Sequence, residues 1–270
     1  MDYSVIIPSF NRLALLKRAL KSVYAQTLNA KEVIVVDDGS TDGTANYIRQ
    51  HYPEVILVEQ KNKGVSAARN AGFVVSTGKW IALLDSDDEW LPEKMRQQSE
   101  AIKTSGLNVC HTEEIWIRNG VRVNAKNKHQ KKRGDIFFDC LKLCAMSPSA
   151  IVLHRSIWEE FGGFDESFVV CEDYDLWLRI CSTYEVALIE EPQVRKYGGH
   201  DDQLSRQYFG MDKYRVLAMR KLLGAELPLM KKQALIATMQ EKLTILETGA
   251  KKHDNIELLE FCLHMRNVKD

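Results

Sequence analysis

The sequence predicts an α/β protein: a doubly wound, mostly parallel sheet with a helical C-terminal extension. Three observations carry this. Short apolar runs recur through residues 3–84 at the spacing of strands. Segments with apolar residues at helical spacing separate them. From about residue 202 onward only the helical pattern remains. Strand and helix in alternation argue for parallel strands joined by right-handed crossovers.

Residues 3–7 form the first apolar run, and Asn11 can cap a helix carrying Leu13, Leu16, Leu20 and Val23 on one face. Residues 33–36 are continuously apolar, as in a strand covered on both faces. A polar turn at 37–44 leads into a short helix. Residues 55–58 read as a strand, 65–75 as a helix and 80–84 as a fourth strand; Pro92 suits the first turn of the helix after it. After about residue 107 the rhythm changes. Asn119-Gly120 marks a hairpin within 115–123, and 126–133 is a basic loop. A strand is expected at 151–154, and a helix at 172–182 with Leu176, Trp177 and Ile180 facing inward. Leu235, Met239, Leu243 and Leu246 form one C-terminal stripe; Ile256, Leu259 and Leu263 form a second.

Bulk properties narrow the function classes. The chain has 270 residues, long enough to bury a large core. Thirty-seven basic and 37 acidic residues cancel, so no global positive field argues for nucleic acid as a partner. Six cysteines without a C-x2-C pair argue against a zinc knuckle and for reduced, mostly buried thiols. The N-terminus lacks a signal-peptide pattern, and no run approaches the roughly 20 apolar residues of a membrane span. A cytoplasmic protein is expected, with peripheral membrane association compatible with the basic loop.

In an open parallel sheet, ligands bind beyond the carboxyl ends of the strands. Four polar clusters occupy such ends: Pro8-Ser9-Phe10-Asn11, Asp37-Asp38-Gly39-Ser40, Asn62-Lys63-Gly64 and Asp85-Ser86-Asp87-Asp88. Three carboxylates within four residues repel one another, and a hard divalent cation offsets that cost. Magnesium and manganese keep positions open for phosphate oxygens, so a diphosphate–metal site fits this cluster. The alternative is a solvated Asp-rich turn. No G-x-G-x-x-G follows the first strand, which counts against a dinucleotide-binding enzyme, and no P-loop is present.

These residues resemble the family 2 glycosyltransferases, which have the GT-A fold. The matching pieces are Ser4 through Arg12, Val35 through Asp42, Asn62 through Gly72, Leu84 through Asp88, Phe161-Gly162-Gly163-Phe164-Asp165-Glu166, and Glu172-Asp173-Tyr174-Asp175-Leu176-Trp177. The likeness covers roughly residues 3–205. It implies a GT-A-like catalytic domain over 1–205, with a nucleotide-binding half at 1–106, an acceptor half at 107–205, and a helical extension at 206–270.

The resemblance also implies roles. Pro8, Ser9, Phe10 and Asn11 would line the nucleotide pocket, with Gly64 and Ser86 beside them. Asp38 would accept a hydrogen bond from the base. Asp85 and Asp87 would be the D-x-D motif, Asp87 as direct ligand of Mn2+ or Mg2+ and Asp85 nearer the ribose. Asp173 would be the catalytic base. His200 resembles a histidine that adds a metal ligand in some relatives. Arg69 could meet a donor phosphate or pair with a carboxylate. Gly162-Gly163 reads as a turn near the acceptor or as a helix C-cap. The implied reaction is an inverting transfer from a nucleotide sugar, with a UDP-sugar as the expected donor, to a hydroxyl of a glycan or lipid-linked acceptor.

The basic run Lys126, Lys128, Lys131, Lys132 and Arg133 reads as a solvated loop, or as a lid or patch facing anionic lipid or a phosphate-bearing acceptor. The C-terminal stripes suit core or a homodimer surface. Two rivals remain. A nucleotidyltransferase usually needs a Gly-rich basic loop after the first strand, where this chain has Pro8-Ser9-Phe10-Asn11. A binding protein without catalysis would lack a base or metal carboxylate, and Asp85, Asp87 and Asp173 are all present.

Overall fold

The computed structural model describes residues 1–124, 129–199 and 210–267. At its centre lies β1 (Tyr3–Ser9), flanked by β2 (Glu32–Asp37) and β4 (Trp80–Leu83), with β3 (Ile56–Glu59) outside β2; all three pairings are parallel. The crossovers run through α1 (Leu13–Tyr24), α2 (Thr44–His51) and α3 (Val65–Val75). Every residue of β1 is buried. Ile6 faces one core while Val5 and Ile7 face the other, as the two-residue repeat of a strand between two helical layers requires. Gly72 of α3 lets that helix sit close on the sheet, because a Cβ there would lie 2.4 Å from Cγ2 of Ile6.

The second half is mixed. After β5 (Glu89–Trp90) come α4 (Lys94–Ser105), β6 (Val109–Arg118), β7 (Val121–Val123), α5 (Phe137–Lys142), β8 (Val152–His154), α6 (Arg155–Phe161), α7 (Glu172–Thr183) and β9 (Ala187–Gly198). Strand β8 is antiparallel to both β4 and β6, whereas β6 and β9 are parallel. The nine strands run in the order β3-β2-β1-β4-β8-β6-β9-β5, with β7 on β6. Asn119 and Gly120 both have positive φ, the conformation that a tight hairpin turn needs.

Helices α8 (Met211–Leu223), α9 (Leu229–Lys252) and α10 (Ile256–Asn267) close the core on the α3 face. Leu235, Met239, Leu243 and Leu246 are buried there. The second expected stripe is corrected: Ile256 and Leu263 are exposed, while Cys262 is buried and Leu258, Phe261 and Met265 pack on the core. No helix of the described residues is long and apolar enough to cross a membrane. All six cysteines are free, and five are buried.

Two local expectations also change. Asn11 does not cap α1 with its side chain. Asp42 serves two helices instead: its Oδ2 accepts from Leu13 N at 2.8 Å and its Oδ1 from Thr44 N at 3.1 Å. Pro92 stands ahead of α4 rather than in its first turn.

Lys94 is fully buried on α4; its Nζ donates to Gln98 Oε1 at 2.7 Å and lies 4.1 Å from the Trp90 ring centroid. Burial lowers its pKa from 10.5 to about 7. The folded state therefore binds fewer protons than the unfolded chain between those values. The associated stability is present above 10.5 and is lost as pH falls through about 7. Melting temperature should rise between pH 7 and pH 9, and Lys94→Met should abolish that rise. A rise that persists in the variant would assign the effect to another group.

Candidate active site

The strand-end clusters meet in two adjoining cavities. The larger, about 530 Å3, is lined by Pro8, Ser9, Phe10, Asn11, Asp38 and Gly64 among others. The smaller, about 210 Å3, is lined by Arg69, Asp85, Asp87, Asp88, Glu172 and Asp173 among others. Pro8, Arg12, Val65 and Ser86 line both, so the two are continuous.

Three loops build the larger cavity. Asn11, at φ 51°, donates its N–H to Ser40 Oγ and accepts from Thr41 N at 2.8 Å, joining the loops after β1 and β2. Asp38 is buried and pins the loop before α3. Its Oδ1 accepts from Gln60 Nε2 at 2.7 Å and Lys63 N at 2.9 Å, and its Oδ2 accepts from Gly64 N at 2.9 Å. Gly64 has φ 89°, a backbone state that strains any side chain. Phe10 presents 44% of its surface at the mouth. Asp38 is thus first a loop anchor; one Oδ2 lone pair is left for a ligand.

The smaller cavity is crowded with charge. Asp87 Oδ2 accepts from Arg12 Nη1 at 3.0 Å, and Arg18 donates to the Asp87 carbonyl while stacking over Tyr197 at 3.6 Å. Asp88 is buried and accepts from Ser149 Oγ at 2.6 Å and Tyr197 N at 3.0 Å. Burial, with Asp85 adding repulsion, pushes the Asp87 carboxyl above its usual range, and burial does the same to Asp88 more strongly. Arg69 is a buried cross-brace: Nη2 donates to Asp85 Oδ1 at 2.7 Å and Nη1 to Glu172 Oε1 at 2.8 Å. Both Nη atoms are engaged by carboxylates, one of the two expectations for Arg69, and the side chain also lines the cavity.

Asp173 lies in the first turn of α7, which starts after Cys171 at φ 62°. Its Oδ1 accepts from Tyr174 N at 2.7 Å and its Oδ2 from Cys144 Sγ at 3.2 Å. Burial, reinforced by the Asp173 charge, pushes the Cys144 thiol well up, so it stays a donor. Gly162, at φ 73°, caps α6 with its N–H on the Trp158 carbonyl at 2.9 Å.

Sequence reasoning missed Lys196 and Tyr197, which line the smaller cavity from β9. Burial favours loss of the Lys196 proton, but Glu114, Asp88, Asp85 and Asp173 outweigh it and hold the ammonium charged. The basic loop also reads differently in part. The Lys131 side chain is only 7% exposed and pairs with Glu114 at 2.9 Å, while Lys132 pairs with Asp139. His200, Lys126 and Lys128 lie outside the described residues.

A mixed, mostly parallel sheet whose strand ends carry two continuous cavities, one of them lined by Asp85, Asp87 and the helix-borne Asp173, is the arrangement of the GT-A class of folds. The crystal structure of S. aureus TarS 1–349 in complex with UDP-GlcNAc superposes with a TM-score of 0.78 at 19% identity, over 98% of this chain and 79% of that one. The mannosyltransferase PcManGT from Pyrobaculum calidifontis, in complex with GDP-Man and Mn2+, does so at 0.61 and 17% identity, over 98% and 84%. At these identities the likeness is one of fold. In sequence, the family model described as Glycosyl transferase family 2 matches residues 4–162, and this chain belongs to that family. An uncharacterized glycosyltransferase of Nostoc sp. is 43% identical over 199 residues, 70% of this chain. The E. coli UDP-Glc:alpha-D-GlcNAc-diphosphoundecaprenol beta-1,3-glucosyltransferase WfgD is 30% identical over 192 residues, 70% of this chain and 74% of that protein. The chain spans 60% of the Nostoc relative's length and a third of the Rickettsia conorii relative's.

Proposed function

We propose that this chain transfers a sugar from a nucleotide-sugar donor, a UDP-sugar, to a hydroxyl acceptor of a glycan or lipid-linked glycan, with inversion at the anomeric carbon. The observation that carries this is the meeting of Asp85, Asp87 and Asp173 around one cavity continuous with the cleft at Asp38 and Phe10. The larger cavity, about 530 Å3, lies in the range of small-molecule sites. In this reading Phe10 and Pro8 flank the base, Asp38 Oδ2 accepts its N–H, and Asp85 faces the ribose.

A divalent cation fits the donor set. The Asp87 carboxyl is pushed up by burial and by Asp85, a repulsion that a cation would relieve. Asp87 and diphosphate oxygens are hard ligands of the kind Mn2+ and Mg2+ take, and His200 remains a candidate for an additional ligand. Bound there, the ion would neutralise charge on the departing diphosphate. The chain's own part is proton chemistry and positioning. Asp173 takes the acceptor hydroxyl proton, Lys196 sets a positive charge among the carboxylates, and Arg69 fixes Asp85 and Glu172 in register.

Incubation with a panel of nucleotide sugars and Mn2+ should release nucleoside diphosphate from one of them. Asp87→Ala should cut that release at least tenfold and remove its metal dependence. Wild-type protein inert toward every donor, with Asp87→Ala binding nucleotide as well as wild type, would defeat the proposal. Release of pyrophosphate from a nucleoside triphosphate would favour a nucleotidyltransferase instead.

A further inference from the structure

A separate cavity of about 540 Å3 shares no lining residue with either part of the strand-end cleft. Leu143 and Ala145 line it, and between them Cys144 holds Asp173 Oδ2. Its charged lining is Lys132, Lys142, Arg215 and Asp139, with His129 also present. Lys132 pairs with Asp139 at 2.7 Å. Arg215 pairs with Asp212 at 2.9 Å, a carboxylate that Lys242 also contacts at 2.9 Å. Lys142 is exposed and makes no ion pair among the described residues. Lys132, Lys142, Arg215 and Lys242 outnumber Asp139 and Asp212 and leave the wall positive, and Leu143 and Ala145 of that wall flank the cysteine that holds Asp173.

We propose that this cavity is a phosphate subsite for the acceptor. It takes the phosphate of an anionic acceptor, through charge-assisted hydrogen bonds from Lys142, Lys132 and Arg215, and so sets the acceptor's sugar hydroxyl against Asp173. The proposal rests on the reading of Asp173 as base and of the strand-end cleft as the donor site. It names what that reading leaves open, the chemical class of the acceptor. A neutral glycan would gain nothing from these side chains. A lipid-linked phosphate and a polyol phosphate share the recognised group.

The test uses the full chain saturated with UDP and Mn2+, titrated with farnesyl phosphate and with glycerol 3-phosphate. Wild type should bind at least one of them. Lys142→Glu should weaken that binding at least tenfold and leave UDP affinity and melting temperature unchanged. Lys132→Ala, which leaves Asp139 facing the cavity, should weaken it as well. Tighter binding of farnesyl phosphate assigns a lipid-linked acceptor; equal binding assigns recognition of the phosphate alone. No binding of either probe by wild type, or affinity unchanged in Lys142→Glu, overturns the subsite. Failure of UDP to bind, with the phosphate response intact, would overturn the donor-site reading and not the anion site.

Discussion

Asp173→Asn should lower sugar transfer by about 10²–10⁴-fold while leaving UDP affinity unchanged. The substitution keeps the shape of the side chain. The Tyr174 N–H can still donate to the amide oxygen, and Cys144 remains beside the same atom position, so α7 should stay in place. What disappears is a carboxylate able to take a proton. The effect should fall on turnover rather than on donor binding, because Asp173 lines the smaller cavity and not the cleft at Asp38. Turnover within a few-fold of wild type would remove Asp173 from the chemistry. A matching loss of UDP affinity would make it a structural residue of the donor site.

Arg69→Leu should destabilise the protein by about 3–5 kcal/mol, the usual cost of removing one partner from a buried ion pair. Arg69 bridges Asp85 and Glu172, elements 87 residues apart in the chain, and its guanidinium also lies 4.8 Å from the Phe164 ring centroid. Leucine retains the apolar stem and abandons two carboxylates in a site already rich in negative charge. Glu172 is pushed up by burial and by Asp173, with Arg69 the group opposing that rise. Without Arg69, Glu172 should take up a proton more readily, and Asp85 should lose its fixed position. Melting temperature should drop by on the order of ten degrees. Donor binding should weaken as well. A change of a degree or two would show that the bridge adds little to stability.

The parts of this molecule that were legible in the sequence are those set by local pattern. Residues 33–36 read as a doubly covered strand because no polar residue interrupts them, and β2 is buried on both faces. Asn119-Gly120 read as a tight turn because asparagine tolerates positive φ and glycine, without a Cβ, adopts it freely, and both residues have it. The four strand-end clusters converged because parallel strands deliver their carboxyl ends to one edge. What escaped depends on contacts distant in sequence. Strand β9 is broken by Pro192, which ordinarily argues against a central strand. In the fold that proline falls in an irregular stretch where the register with β6 shifts between Thr112 and Glu114, so no regular ladder bond is lost there. With β9 unread, Lys196 and Tyr197 had no element to place them in the cavity. Asp42 displaced Asn11 as the cap of α1 because the loop after β2 reaches across to it, a contact between residues 29 positions apart. Lys131 looked like one of five solvated cations, and nothing local marks Glu114 as its buried partner.

A thermal-shift panel of UDP, GDP, dTDP and CDP, each with and without Mn2+, tests the donor site most directly. A nucleotide at 100 times its dissociation constant stabilises the fold by about 2.7 kcal/mol. The structure's cleft and its acidic cluster predict a clear shift with UDP that depends on the metal and is lost in Asp87→Ala. No shift with any of the four, with or without metal, would contradict the claim that the cleft at Asp38 and Asp87 binds a nucleotide-sugar donor.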